Sequence, residues 1–344
     1  MDKIIIITGS YPPDPCGVGD YTQKIVEELK KDKKINIEVL KIGKFNLKES
    51  YNTFKYLNKH KNTIKLLQYP TLGYGWSILP QILSLFFSKN MYINLHEFSQ
   101  RKFKARLASS IFFLSKAHII FTTQDERIYA LKKFKFLEKR SSIINIASNI
   151  EFICEKAENK KIYDLLNFGI IMPNKGLEDF FYLVKKLREE KFDGKILLVG
   201  RKQKENLNYF NEIVKICKRY DVELKVDMDD VSVAKEISKS KVAYLPFPDG
   251  VTFRRGSFLA CLGNEVKVLT YPNVKSYDFN EIKVLCEIIE KKEDSVQAYK
   301  TLLYKKNTIF DSQEYNAFLE KFNWKSVIKK FKKLMLTEES KSKE

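Results

Sequence analysis

The feature that most constrains this chain is an alternation that occurs twice. Short β-branched runs are separated by stretches with apolar residues three and four apart. The first series is "KIIIIT" (3–8), "NIEVLKI" (36–42), "TIKLLQ" (63–68), "YINLH" (92–96), "HIIFTT" (118–123) and "SIINI" (142–146), with "DYTQKIVEELKKD" and "RKFKARLASSIFFLSKA" among the intervening helical patterns. The second is "LNFGIIM" (166–172), "KILLVG" (195–200), "VELKVD" (222–227), "KVAYLPF" (241–247) and "VKVLTY" (266–271), separated by "LEDFFYLVKKLREE", "ENLNYFNEIVKICKRY" and "VSVAKEISKS". Runs that are apolar throughout suit strands buried on both faces, and helices between them supply the crossovers of parallel pairing. The predicted fold class is therefore α/β, with two doubly wound Rossmann-like domains.

Between the two series, "CEKAENKKIYDLL" (154–166) is polar and reads as a linker with a partial helix. The chain has 344 residues, too many for one ordinary core. The expected domains are 1–155 and 156–310, followed by a helical segment over 311–336 and a fraying Lys/Ser/Glu tail over 337–344. Two such domains leave one obvious place for a ligand, the cleft between the carboxyl ends of their sheets.

A net charge of +19 favours anionic partners: nucleotide phosphates, nucleic acid or an acidic membrane face. Nucleic acid is disfavoured, because no recognition motif or aromatic-basic platform accompanies the charge. The five cysteines, at 16, 154, 217, 261 and 286, have no paired spacing, which argues against disulfides and a zinc site and for a reducing cytosol. The N-terminal apolar run is too short for a signal peptide, and "WSILPQILSLFF" (76–87) is too short to span a bilayer. The expected location is cytoplasmic, with peripheral contact at the inner face of the cell membrane as an extension of that reading.

Several segments carry a resemblance when taken together and in order. "YPPDPCGVGDYTQKI" resembles the opening of bacterial GT-B glycosyltransferases of the large retaining family that builds surface polysaccharides, family 4-like. "LLQYPTLGYG", "INLHEFS", "IIFTTQDERIYALKKF" and "INIASNIE" resemble later strand ends of its first domain. "FGIIMPNKGLEDFFYLVKKL" resembles the phosphate-binding start of its second domain, and "AYLPFPDGVTFRRGSFLACL" the Asp-Gly, Arg-Arg-Gly-Ser donor loop of one subgroup. "FNWKSVIKKF" resembles the terminal helix that crosses back to the first domain. The matches cover nearly the whole chain.

The resemblance implies a retaining, metal-independent hexosyltransferase-like enzyme. Its donor would be a UDP- or GDP-sugar, and its acceptor a hydroxyl of a glycan or lipid-linked glycan. No further cofactor is implied. Gly17 and Gly19 are expected to let the backbone lie close to the donor, because only glycine freely takes positive φ and leaves room for a ligand; an ordinary β–α turn is the alternative. Their spacing is not the dinucleotide fingerprint, since Thr22 stands at the third glycine position. Asp20 either caps the first helix or touches an acceptor hydroxyl, capping being the blander reading. His96 ends a strand and matches the family histidine that contacts the donor sugar; Glu97 beside it would orient the acceptor. Lys175 would neutralise the leaving diphosphate. Asp249 would hold sugar hydroxyls, and Arg254, Arg255, Gly256 and Ser257 would bind the pyrophosphate at a helix start.

Some positions depart from the family pattern. Met172 replaces a common arginine, for which Arg201 is a spatial candidate. Thr252 and Ala260 stand where the broader family has glutamates, and Ala147, Glu265 and Lys267 replace usual Gly, Gly and Pro. They keep a second reading open: a catalytically degenerate GT-B protein that binds glycan or partners a true transferase. "DMDD" (227–230) reads as a turn and helix cap. "HEFSQRKFKARLASSIFFL" is either a core-facing helix with a solvated face or a dock on anionic lipid.

Overall fold

The computed structural model describes residues 2–14, 16–44, 46–153, 161–306 and 308–336. The chain forms two compact units: Met1–Ile146 with Trp324–Glu344, and Ala147–Asn323. The expected domain break at residue 155 and the tail 337–344 lie outside the described residues.

In unit 1 the order is β1 (Asp2–Thr8), α1 (Gly17–Lys30), β2 (Ile35–Lys41), α2 (Leu47–Lys59), β3 (Ile64–Tyr69), α3 (Leu79–Phe86), β4 (Met91–Leu95), α4 (Phe103–Ser110), β5 (His118–Phe121), α5 (Gln124–Leu131) and β6 (Ser141–Ile143). The six strands form one parallel sheet, ordered β2-β1-β3-β4-β5-β6. Alternate residues leave opposite faces of a strand. Ile5, Ile7, Leu67, Ile93 and Leu95 enter a core with Phe112, Phe113 and Leu83. Ile4, Ile6 and Leu66 are buried too, as are Ile25 and Leu29 of α1. This explains why the strands read as unbroken apolar runs.

Unit 2 contains β7 (Tyr163–Ile171), α6 (Leu177–Glu189), β8 (Ile196–Lys202), α7 (Leu207–Arg219), β9 (Val222–Val226), α8 (Asp230–Ser238), β10 (Ser240–Leu245), α9 (Gly256–Gly263), β11 (Lys267–Thr270), α10 (Phe279–Ile282), β12 (Glu287–Ile288), α11 (Ser295–Tyr304) and α12 (Gln313–Phe322). Its sheet is also six-stranded and parallel, ordered β12-β11-β10-β7-β8-β9. Leu166, Leu197 and Ala243 face one core, with Phe258 and Phe318. Their neighbours Leu165, Leu198 and Tyr244 face the other, with Phe180 and Val184.

Three local expectations are corrected. The partial helix read into 154–166 is strand from Tyr163 onward, because Tyr163, Leu165 and Leu166 are needed inside the sheet. The helical pattern over 101–117 gives only a short α4 and a 3-10 turn, Ile111–Leu114. The single helix expected over 311–336 is two helices, α12 and α13 (Trp324–Leu336). The backbone turns extended at Asn323, where the chain leaves unit 2 for unit 1. In unit 1, α13 packs on α1: the Trp324 and Tyr21 rings lie 5.3 Å apart, and Lys332 Nζ reaches Asp32 Oδ2 at 2.8 Å.

Candidate functional site

In an open parallel sheet the chain runs first one way and then the other, and the loops at the reversal splay apart. In unit 2 this happens between β7 and β10. The loop after β7 is Met172–Gly176, and the one after β10 begins at Pro246. They touch: a Cβ built on Gly176 would sit 1.9 Å from the Pro246 carbonyl oxygen. Gly176 also has φ +85° and directly precedes α6, so only glycine fits there. Lys175 is exposed at this turn.

The loop after β10 carries the other predicted donor residues. Gly250, at φ +79°, turns it against Pro272. The Arg255 guanidinium ion-pairs with the Asp249 carboxylate and lies 5.0 Å from the centre of the Phe247 ring. Helix α9 begins immediately afterwards, at Gly256 and Ser257, and no side chain caps it. A Cβ on Gly256 would meet nothing within 4 Å, so this face of the helix start is open. Lys175, Asp249, Arg254, Arg255, Gly256 and Ser257 are thus gathered on the loops at one reversal. The group offers cationic side chains and the positive end of a helix, which suits a diphosphate.

Two of the departures from the family pattern, Lys267 and Glu265, have structural roles. Lys267 is buried, and its ammonium donates to the Leu302 and Lys305 carbonyls at 2.7 and 2.8 Å, satisfying the end of α11. Burial lowers its pKa. Glu265 occupies a left-handed turn, φ 55°, between α9 and β11. Arg201, the candidate for the arginine missing at Met172, is held by Asp230 at 3.2 Å. Within "DMDD", Asp229 caps α8 by accepting from the Ser232 N–H at 3.0 Å.

In unit 1, His96 follows β4 directly and is 4% exposed. Its Nε2 lies 2.9 Å from Gln68 Oε1, and its backbone N–H donates to the Tyr69 carbonyl at 2.8 Å. The Tyr21 ring meets it edge-on at 5.2 Å. Asn94 Nδ2 donates to the same Gln68 oxygen at 3.1 Å. Gln68 Nε2 is buried without a hydrogen-bond partner among the described residues, while the Tyr21 hydroxyl and the Asn94 side chain lie within reach of each other. Burial pushes the Tyr21 phenol far above its ordinary pKa. An unpartnered buried polar atom is costly, so the Gln68 amide beside His96 keeps one donor that the described residues do not use.

The loop carrying His96 and the exposed Glu97 is held by Glu126. This carboxylate is buried and accepts from Phe98 N, Ser99 N and Ser99 Oγ at 2.9, 2.7 and 2.9 Å. Sequence reasoning missed it. "TTQDE" has Thr and Glu three apart, the spacing of a capping box. Thr123 does cap α5, but Glu126 reaches the neighbouring loop as well. Gln68 was also missed; its signal is a lone amide in an apolar run.

Two expectations at the first loop are corrected. Gly17 and Gly19 are the first and third residues of α1, and neither has positive φ. The left-handed conformation proposed for them is not used, because both lie within the first turn of α1. Gly17 faces open space, whereas a Cβ on Gly19 would press on the Ser10 carbonyl at 3.2 Å. Asp20 is not the cap. It lies inside the first turn, its N–H bonded to the Cys16 carbonyl at 2.9 Å, with its side chain exposed. Among the described residues, no group of His, Cys, Asp and Glu is placed to hold a metal ion.

No protein-family model matches the chain, and no curated protein sequence does. Solved structures do. A glycosyltransferase from Rickettsia africae superposes with a TM-score of 0.70 at 11% identity, covering 100% of this chain and 99% of that one. HepE of Anabaena, solved in complex with UDP, gives 0.70 at 11% identity, with 97% and 99% covered. WaaG, a glycosyltransferase involved in lipopolysaccharide biosynthesis, gives 0.64 at 11% identity, with 97% and 99% covered. The fold is that of the GT-B glycosyltransferases.

Proposed function

We propose that this protein is a glycosyltransferase that moves a sugar from a UDP- or GDP-sugar to a hydroxyl of a glycan or lipid-linked glycan, with retention of anomeric configuration. The observation that carries the reading is the gathering of Lys175, Arg254, Arg255 and the uncapped start of α9 at the unit 2 reversal, on a fold shared with enzymes of this kind. The complex of HepE with UDP supports a nucleotide-sugar donor. The known role of WaaG favours an acceptor in surface polysaccharide synthesis.

In this reading the bond from the sugar's anomeric carbon to the diphosphate breaks, and its electron pair leaves with the phosphate. The acceptor oxygen bonds to that carbon on the same face, and its proton passes to the departing phosphate oxygen. Lys175, Arg254, Arg255 and the N–H groups of Gly256 and Ser257 stabilise the growing negative charge. Asp249 contacts sugar hydroxyls. His96 contacts the donor sugar, and Asp20 and Glu97 serve the acceptor. Helix α4 exposes Phe103 and Leu107 beside Lys102 and Lys104, which suits contact with an anionic membrane. Among the described residues no helix is long and apolar enough to cross one.

Thermal-shift screening with UDP-, GDP- and other nucleotide-sugars should give stabilisation by one donor class. Incubation of that donor with lipid-linked acceptors should then release the nucleotide and yield an elongated glycan. A protein stabilised by no nucleotide or nucleotide-sugar would sink the proposal.

A further inference from the structure

Large apolar side chains left in water on unit 1 gather along one edge. Helices α2, α3 and α4 each connect parallel strands, so each starts at the carboxyl edge of the sheet, where His96 follows β4. Helices α2 and α3 and the turn after α4 send Leu57, Leu83 and Phe112 into one core, so all three helices cover the same face. They are neighbours there: Phe54 of α2 meets Phe86 at 5.7 Å and Phe87 at 5.5 Å, and α3 touches the turn Ile111–Leu114. Leu47 is the first residue of α2, Trp76 and Ile78 lie just before α3, and Phe103 is the first residue of α4. Leu47, Trp76 and Phe103 are 78%, 95% and 71% exposed, and Ile78 is exposed as well. The turn with Trp76 adjoins the approach to α2, since a Cβ on Gly75 would lie 3.6 Å from Lys44 Cγ. Apolar surface of this extent in water marks the seat of a partner.

The charge around these residues is almost entirely of one sign. Residues 44–116 carry twelve lysines and arginines and two acidic residues, Glu49 and Glu97. Exposed Lys44 and Lys48 flank Leu47, and exposed Lys102 and Lys104 flank Phe103. A second copy docked by the same face would set like charge against like. Protein interfaces are depleted of lysine, which disfavours another protein. Nucleic acid would neutralise the lysines and leave Leu47 and Ile78 in water. The surface of an anionic bilayer satisfies both sets: apolar side chains enter the acyl boundary, an indole sits among the headgroups, and lysine stems reach up to negative charge.

We infer that the starts of α2, α3 and α4 together seat unit 1 on an anionic bilayer, with Trp76 at headgroup level. The inference deepens the membrane contact of the proposed function, on which it rests, by adding α2 and the Trp76 turn to α4. It also fixes which edge meets the lipid. That edge carries His96, so a lipid-linked acceptor would arrive beside it.

The test is co-sedimentation of the full chain with vesicles, without donor. Vesicles of equal parts phosphatidylglycerol and phosphatidylcholine should bind the protein and shift its tryptophan emission to the blue; phosphatidylcholine alone should do neither. The shift should vanish in Trp76→Ala, which keeps only Trp324. The double variant Leu47→Ser/Trp76→Ala, at side chains too exposed to support the fold, should weaken binding at least about tenfold. Lys48→Glu should weaken it about fivefold or more. Tyr304→Ala, an equally exposed apolar site in unit 2, should leave it unchanged. No binding to anionic vesicles, equal binding to neutral ones, or full binding by the double variant would overturn the inference. So would a dimer in sedimentation that the double variant abolishes. If Phe103→Ser/Leu107→Ser loses the vesicles and the Leu47/Trp76 variant keeps them, α4 docks alone: the membrane contact of the proposed function stands and this inference fails. A protein that binds vesicles through Trp76 but no nucleotide-sugar would remove the transferase reading and leave the docking face standing.

Discussion

His96 Nε2 lies 2.9 Å from Gln68 Oε1, and the second polar contact of that oxygen is the Asn94 amide, 3.1 Å away. Gln68 and Asn94 are register partners on β3 and β4, so the rigid sheet sets the position of the imidazole. Gln68 contributes to holding the orientation of this ring, so part of the role of His96 should go when the contact goes. His96→Ala is expected to lower kcat at least about tenfold, equivalent to 1.4 kcal/mol at the transition state. Gln68→Leu should lower it in part, and the double variant should be no worse than His96→Ala alone. Additive losses in turnover would show that Gln68 acts by packing and not through His96.

Glu126 does for the loop backbone what Gln68 does for the ring. Its carboxylate takes three donors from Phe98 and Ser99. Glu126→Gln turns part of that acceptor into a donor facing N–H groups. The expected cost is about 2 kcal/mol in urea unfolding, with faster amide exchange at Phe98 and Ser99. If Glu126 positions the loop for transfer, kcat should fall while KM for donor stays near its original value. Ser99→Ala removes only the hydroxyl contact and should cost about 1 kcal/mol. Unchanged amide exchange in Glu126→Gln would refute the clamp.

The contrast between these residues and the strands shows what the sequence could reveal. Strands such as Ile4–Ile7 and Leu165–Leu166 are covered on both faces, so burial wrote itself into consecutive apolar letters. Gly176 and Gly250 hold positive φ in the loops after β7 and β10, but that these two loops adjoin is set by a strand order the sequence does not spell out. Contacts between distant side chains leave no such mark. Nothing near Glu126 in the sequence points to Ser99, and Asp249 does not announce that it holds Arg255. Gly17 and Gly19 misled for the opposite reason: glycine is compatible with positive φ but does not require it, and both lie in a helix. The crossing back at "FNWKSVIKKF" was read from the resemblance, but the break between two helices at Asn323 was hidden because its flanks, "FLEKF" and "WKSVI", share one helical pattern.

Glu236 gives unit 2 a pH-dependent fastening. Burial alone would raise its pKa, but Lys225 and Lys239, with contacts of 2.8 and 2.9 Å, outweigh that and lower it. A carboxyl lowered in the folded state binds fewer protons than its unfolded counterpart as pH falls. Its stabilisation is therefore complete above the ordinary carboxylate pKa of 4.5 and is lost as pH falls through the depressed folded value. Glu236→Gln should cost about 2 kcal/mol at neutral pH and much less in acid. Urea midpoints of the two proteins measured from pH 7 downward should converge. A constant gap across that range would show that the loss is one of packing.

The Asp249–Arg255 pair makes opposite predictions for its two members. Arg255 is oriented before any ligand arrives, by the Asp249 carboxylate at its side and the Phe247 ring beneath it. A diphosphate would take over that guanidinium through charge-assisted bonds, each worth about 1.5–3 kcal/mol. Arg255→Ala should weaken UDP or GDP binding by about tenfold or more, measured by calorimetry. Arg255→Lys should restore only part of it, since an ammonium is a point charge without the planar fork. Arg101→Ala should leave it unchanged, because Arg101 lies over Tyr69 in unit 1. Asp249 competes with the phosphate for Arg255, yet it is also the residue proposed to hold the sugar. Asp249→Asn should therefore tighten binding of the free nucleotide and slow transfer from the nucleotide-sugar. If Asp249→Asn weakens nucleotide binding, the carboxylate serves mainly to hold Arg255 in place. If Arg255→Ala binds nucleotide as tightly as wild type, the loop after β10 is not the diphosphate site.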